Sequence, residues 1–282
     1  MLKGLTMDCN QASSSSIKTW RGWFFEPIEY AHSLQCDDNP SKNLKAWCGL
    51  IGSIGCLLLL RFFFLQNEQY RIVKVLEFLQ LWEVATQLQA GISDPLGKLT
   101  VWAFGCLLCY FILPALMVRL LLREKLEDYG FRFASIRHTM MFVLPGFAGM
   151  APLIYFASTQ SHFLQVYPFY EPSMGSAIGT GFILWELMYA LQFIALEFFF
   201  RGFMVHCLMG VMGGWAIPVM VIPYCMIHFQ KPFPEATASI LAGLALGWIG
   251  IKTKSILPGA ILHIAVAWSM DGVSLMRKGY FE

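Results

Sequence analysis

Charge is what this sequence has least of: Asp, Glu, Lys and Arg make up 13% of its 282 residues, about half the share found in soluble domains. A chain so poor in charge cannot cover a soluble globule with hydrated surface, so that class is excluded. Neither sign dominates. A formal net charge of +2 gives no electrostatic case for a nucleic-acid partner. Other absences narrow the field further. No H-E-x-x-H occurs, which removes the simplest helical zinc-protease motif. No 20–50-residue repeat is visible, and no segment reads as a separate soluble domain. The start of the chain lacks a basic region followed by an apolar core and a small-residue cleavage site, so a removable signal peptide is not expected. The eight cysteines, at positions 9, 36, 48, 56, 106, 109, 207 and 225, lie mostly inside apolar runs and outline no disulfide framework. Cys106 and Cys109 form a C-x-x-C, but without a second pair or a flanking His they read as packing residues.

What remains is apolar. Hydrophobic residues reach 57% and mean hydropathy is +0.56, which identifies a polytopic membrane protein. At about 20 residues per crossing, the length accommodates roughly six to eight spans. The expected architecture is therefore all-α: a transmembrane helical bundle of about seven spans with additional interfacial helices. The short chain without long loops points to a bacterial cell membrane as its setting.

Residues 1–46 form an N-terminal unit, Ser-rich at first and then marked by the aromatic and charged stretch Trp20 to Pro27, of the kind that anchors at the headgroup level. Residues 47–137 hold a first span at Trp47 to Leu65, broken only by Arg61, and a second at Val101 to Val118. Between them, Ile72 to Leu88 places Lys74, Glu77, Gln80, Glu83 and Gln87 on one stripe, as either a surface helix or a span with a polar interior face would. Residues 138–272 carry the remaining spans, and 273–282 are a tail. The loop from Arg119 to Arg137 has five basic residues against three acidic ones, while Thr159 to Ser176 has no Lys or Arg. That asymmetry places the first loop, together with Lys252 and Lys254, on the cytoplasmic side.

Within the third region lies the segment around which the rest is arranged, Ala195-Leu-Glu-Phe-Phe-Phe-Arg-Gly-Phe-Met204. Glu197 and Arg201 are four apart and share a helical face, so each can offset the other's removal from water. Glu186 lies eleven residues before Glu197, and eleven steps of about 100° return to nearly the same azimuth. Both acids are thus expected to look into one interior space. Two later apolar segments bring His228 and His263 to membrane depth. Ionisable groups there mark a functional site or an internal pair. A carboxylate with two imidazoles can polarise water, protonate a leaving amine and stabilise an oxyanion, the needs of peptide-bond hydrolysis.

Three motifs here resemble those of the CAAX-protease and bacteriocin-processing family of intramembrane endopeptidases, which also covers the lysostaphin-resistance-like proteins. Leu196-Glu197-Phe-Phe-Phe-Arg201-Gly202 matches E-E-x-x-x-R-G at its second Glu, Arg and Gly; Tyr224-Cys-Met-Ile-His228 matches F-x-x-x-H with Tyr for Phe; and His263 with Ala267 matches only the His of H-x-x-x-N. The likeness covers roughly residues 138 to 272. It implies an endopeptidase acting on peptide or protein substrates at the membrane, with Glu197, His228 and His263 catalytic and Arg201 supporting. It also implies metal-independent catalysis with no cofactor, although two His and one Glu would suit a zinc ion too. Leu196 stands where the family has its first Glu, so Glu197, Glu186, Glu235 or Asp271 must supply the carboxylate, or the protein is a silent relative acting as a membrane binding or scaffolding protein.

Overall fold

The computed structural model of the chain describes residues 40–172 and 179–281. The Ser-rich start, the Trp20 to Pro27 anchor, Cys9 and Cys36 lie outside them. Every regular element among the described residues is helical, and six helices are long and apolar enough to cross a membrane. The chain is an integral membrane protein.

Helix α1 (Pro40–Leu59) runs on through a π-helical turn, Leu60–Phe64, where Arg61 reaches an exposed ion pair with Glu68 at 3.3 Å. The polar stripe predicted over Ile72 to Leu88 does not form one helix. It breaks into α2 (Tyr70–Phe78) and α3 (Trp82–Gly91), with Gln80 at φ 61°. A left-handed residue stops an α-helix, and the two arms fold together around Val73, Ala85 and Ile92. Neither arm is long enough to span. The second span starts earlier than its hydropathy indicates because Asp94 caps α4 (Pro95–Leu107), accepting from the Gly97 amide at 3.0 Å with Pro95 at the first helical position; the helical path continues to Leu121.

Next come α5 (Ile136–Ala157) and the short α6 (Ser161–Val166). Helix α7 (Thr180–Glu197) passes through a π-helical segment, Phe198–Met204, into α8 (Val205–Met212). Gly213, at φ 55°, turns the chain into α9 (Ala216–Met226). From Thr180 to Met226 the path is 47 residues, too long for one crossing, yet the 11 residues of α9 give only about 16 Å at 1.5 Å per residue. Helix α9 is thus a short arm folded back into the bundle, and the span count falls at the lower end of the expected range. Helices α10 (Phe233–Thr253) and α11 (Leu257–Arg277) complete the chain; α11 continues past residue 272, where the sequence suggested a tail.

The π-helical segment is the centre of the molecule. All seven of its residues are buried, in a core with Tyr110, Tyr129, Met220 and Tyr224. Lipid offers no hydrophobic penalty to escape, so what holds helices here is close packing and polar contact. The Ser255 hydroxyl donates to the Arg132 carbonyl at 2.6 Å, and the Ile256 amide to the Gly130 carbonyl at 3.0 Å. The two basic loops therefore sit at the same end of the bundle. At the other end Lys278 pairs with Glu171 at 3.1 Å, putting the C-terminal basic pair beside the loop that lacks Lys and Arg.

Candidate functional site

Glu197 is the last residue of α7 before the winding widens. A π-helical segment carries an extra residue per turn, and such insertions are frequent at functional sites. Arg201 lies within it, with its Nη1 2.9 Å from Glu197 Oε1. The same Glu197 oxygen is 2.8 Å from Nδ1 of His263, which α11 delivers from across the bundle. Glu197 and Arg201 are each only 1% exposed. These are ion-pair contacts rather than well-aligned hydrogen bonds, as expected when two groups from different helical segments share a single oxygen. Two charges in a dry interior are tolerable only because they face one another.

The other Glu197 oxygen abuts Gly259 of α11. Any side chain there would overlap it: the Cβ of an alanine at 259 would run into Oε2. Gly259→Ala is therefore expected to push Glu197 off its partners, costing about 1–3 kcal/mol as overpacking does and lowering any activity. Paired melting and turnover measurements would check this, and an unchanged variant would mean that the two helices stand further apart. Gly202 has a similar place in its motif. A Cβ on it would come within 2.6 Å of the Tyr129 carbonyl, so the glycine lets the loop that carries Tyr129 seat directly on the π-helical segment.

His263 is held on three sides. Beyond Glu197, its Nε2 is 3.0 Å from the Tyr224 hydroxyl, and the Phe193 ring stacks on its face, 5.3 Å between centroids at 13°. Tyr224, on α9, also lies under the Arg201 guanidinium, 4.1 Å from its ring centroid. One turn on, just past the end of α9, His228 donates from Nδ1 to the Tyr224 carbonyl at 2.8 Å, which leaves Nε2 as an acceptor. Burial pushes the His228 imidazole down to about 4, and the neighbouring His263, Lys231 and Arg201 act in the same direction. A neutral imidazole with a free lone pair is the form a general base requires.

The remaining candidate acids lie elsewhere. Glu186 and Glu197 both face α11, as the azimuth predicts, but eleven residues of α-helix separate them by about 16 Å. They do not share one space. Glu186 instead approaches Asp271 without closing a well-formed hydrogen bond, their four carboxyl oxygens buried. A mainly apolar groove of about 340 Å³ lies beside Glu186, lined by Phe182, Ile183, Leu187 and Trp268 among others, and is remote from His263. Glu235 accepts from the Tyr167 hydroxyl at 2.9 Å, and the same hydroxyl accepts from Lys231 at 2.7 Å, a partly buried network closing the α9 to α10 turn. Leu196 packs against the apolar core, and Ala267 is buried with Trp185 and Tyr189, so neither position of the two departed motif residues carries a polar group. Among the described residues no three His, Cys, Asp or Glu side chains converge as metal ligands would. Sequence reasoning quoted Tyr224 only as a motif variant and missed Phe193; the exchange of Phe for Tyr beside a motif His was the available signal for the first.

Comparison with known proteins finds a family model that matches part of the chain. Residues 177–269 match the model of a family described as Rce1-like, type II CAAX prenyl endopeptidase Rce1-like. The match takes in 93 of the 282 residues and contains Glu197, Arg201, Tyr224, His228 and His263. No curated protein and no solved structure matches the chain.

Proposed function

We propose, from the Rce1-like family model that residues 177–269 match, that this chain is an intramembrane endopeptidase with a site built around a glutamate, hydrolysing peptide bonds of membrane-associated proteins or peptides in a bacterial cell membrane. The observation that carries the reading is the chain of contacts from Arg201 through Glu197 to His263, with the free nitrogen of His228 beside it. In this reading His228 Nε2 takes the proton of the attacking water. Arg201 fixes Glu197, and Glu197 in turn orients the His263 ring beside the place where the carbonyl oxygen becomes anionic. Glu197 thus works through His263 instead of binding the water itself, since its two oxygens face Arg201, His263 and Gly259. Glu186, Glu235 and Asp271 stand apart from the reaction. No metal or other cofactor takes part.

The test is cleavage of a peptide library by the purified protein in lipid vesicles, with and without a chelator. Chelator-resistant cleavage is the expected result; cleavage abolished by the chelator and restored by zinc would overturn the metal-independent reading. A second reading rests on the Leu at position 196, which removes a carboxylate from the motif. In it the protein is a silent relative that binds membrane peptides, and the same library would then show retention without product.

A further inference from the structure

Tyr224 is 1% exposed, and its phenol oxygen lies 3.0 Å from the Nε2 of His263, with the Arg201 side chain as its other hydrogen-bonding neighbour. The groups facing that imidazole are few: Glu197, and Arg201 behind it, from the α7 side; Tyr224 and His228 from α9; and the uncharged Phe193 ring. Because Glu197 is paired with Arg201, the nitrogen facing it, Nδ1, must carry a proton to be satisfied. Nε2 is then an acceptor when the ring is neutral and a donor when it is charged. A carbonyl could serve only the second state and an amide only the first, whereas a hydroxyl turns its single proton to suit either. The polar groups that might otherwise orient this ring are missing, because positions 196 and 267 hold Leu and Ala packed into apolar clusters.

We infer that the Tyr224 hydroxyl is a positioning group for His263, holding the ring through Nε2 in both charge states so that its Nδ1 stays on Glu197. Tyr224 acts on the reaction through His263 and, being buried, without touching substrate. The inference rests on the endopeptidase reading for its kinetic consequence, but the hydrogen bond itself can be observed without turnover. Tyr224→Phe removes one oxygen and keeps the ring under Arg201 and the backbone carbonyl that His228 uses.

The experiment is ¹⁵N spectroscopy of the histidine rings in detergent or nanodiscs, wild type against Tyr224→Phe, with kcat and KM measured alongside. The expected result is a wild-type His263 with its proton on Nδ1, a clear shift of the Nε2 resonance in the variant, and kcat lower by on the order of tenfold at unchanged KM, the size of one lost neutral hydrogen bond. Unmoved His263 resonances would overturn the proposal, whatever happened to the rate. If the resonance shifts as expected while neither protein cleaves anything, the positioning role stands and the endopeptidase reading fails. Should Tyr224→Phe not fold, 3-fluorotyrosine at this position keeps the shape and strengthens the donor. An Nε2 shift with that residue supports the role, and its absence rejects it.

Discussion

His228→Ala is expected to lower peptide turnover by about 10²–10⁴-fold, the contribution of a positioned general base, with little change in folding. The side chain stands at the end of α9, partly exposed, and its one hydrogen bond among the described residues runs to the Tyr224 carbonyl on the preceding turn. Removing it takes away the free nitrogen and leaves the Arg201, Glu197 and His263 contacts in place. The pH profile gives the assignment a sharper edge. The imidazole is held near 4 by burial, below its ordinary value of about 6.5, so the base stays neutral throughout the neutral range. Rate should be lost on the acid side only as pH falls through about 4, not through 6.5. Stability moves with the same sign: the unfolded chain binds the proton first, so the folded state weakens as pH falls from about 6.5 towards 4. An acid limb centred near 6.5, or a His228→Ala variant with wild-type turnover, would remove His228 from the base role.

Arg201→Ala should do something different in kind. It leaves the Glu197 carboxylate at 1% exposure with only the His263 imidazole to face it, and breaking one side of a buried pair typically costs about 3–5 kcal/mol. Folded yield and melting temperature are expected to fall together with activity. Arg201→Lys should recover only part of this, because an ammonium cannot lie flat over the Tyr224 ring as the guanidinium does, 4.1 Å from its centroid. Wild-type yield and melting of Arg201→Ala would show that the charge of Glu197 is borne by other means.

Those two residues illustrate how far the sequence could be read. The pairing of Glu197 with Arg201 was legible because four-residue spacing has one meaning on a helix, and the π-helical winding that follows Glu197 did not destroy it. The convergence of His228 and His263 was legible from motif order. Depth was the part that failed. Azimuth arithmetic put Glu186 and Glu197 on one face correctly, but it carries no information about height along the axis, and that height gave Glu186 a different partner in Asp271. Glu235 was illegible for another reason: its hydroxyl partner, Tyr167, is 68 residues away, and no local pattern encodes such a meeting. The break at Gln80 within the polar stripe was hidden as well, since periodicity continues across it and only the backbone angle reveals the turn.

The π-helical segment at Phe198–Met204 also constrains how this chain can change over time. An α-helix that holds one surplus residue can shed it and close into regular winding with the side chains downstream in nearly the same orientation, whereas loss of a residue from regular α-winding turns everything beyond it by about 100°. Loss of one residue after Arg201 would therefore be absorbed with α8 and the Gly213 turn left in place, whereas loss of one of the three residues between Glu197 and Arg201 changes the spacing on which their 2.9 Å contact depends. Length between Glu197 and Arg201 is therefore under tighter constraint than residue identity, so any of the three phenylalanines there can be exchanged for another bulky apolar residue more readily than it can be deleted.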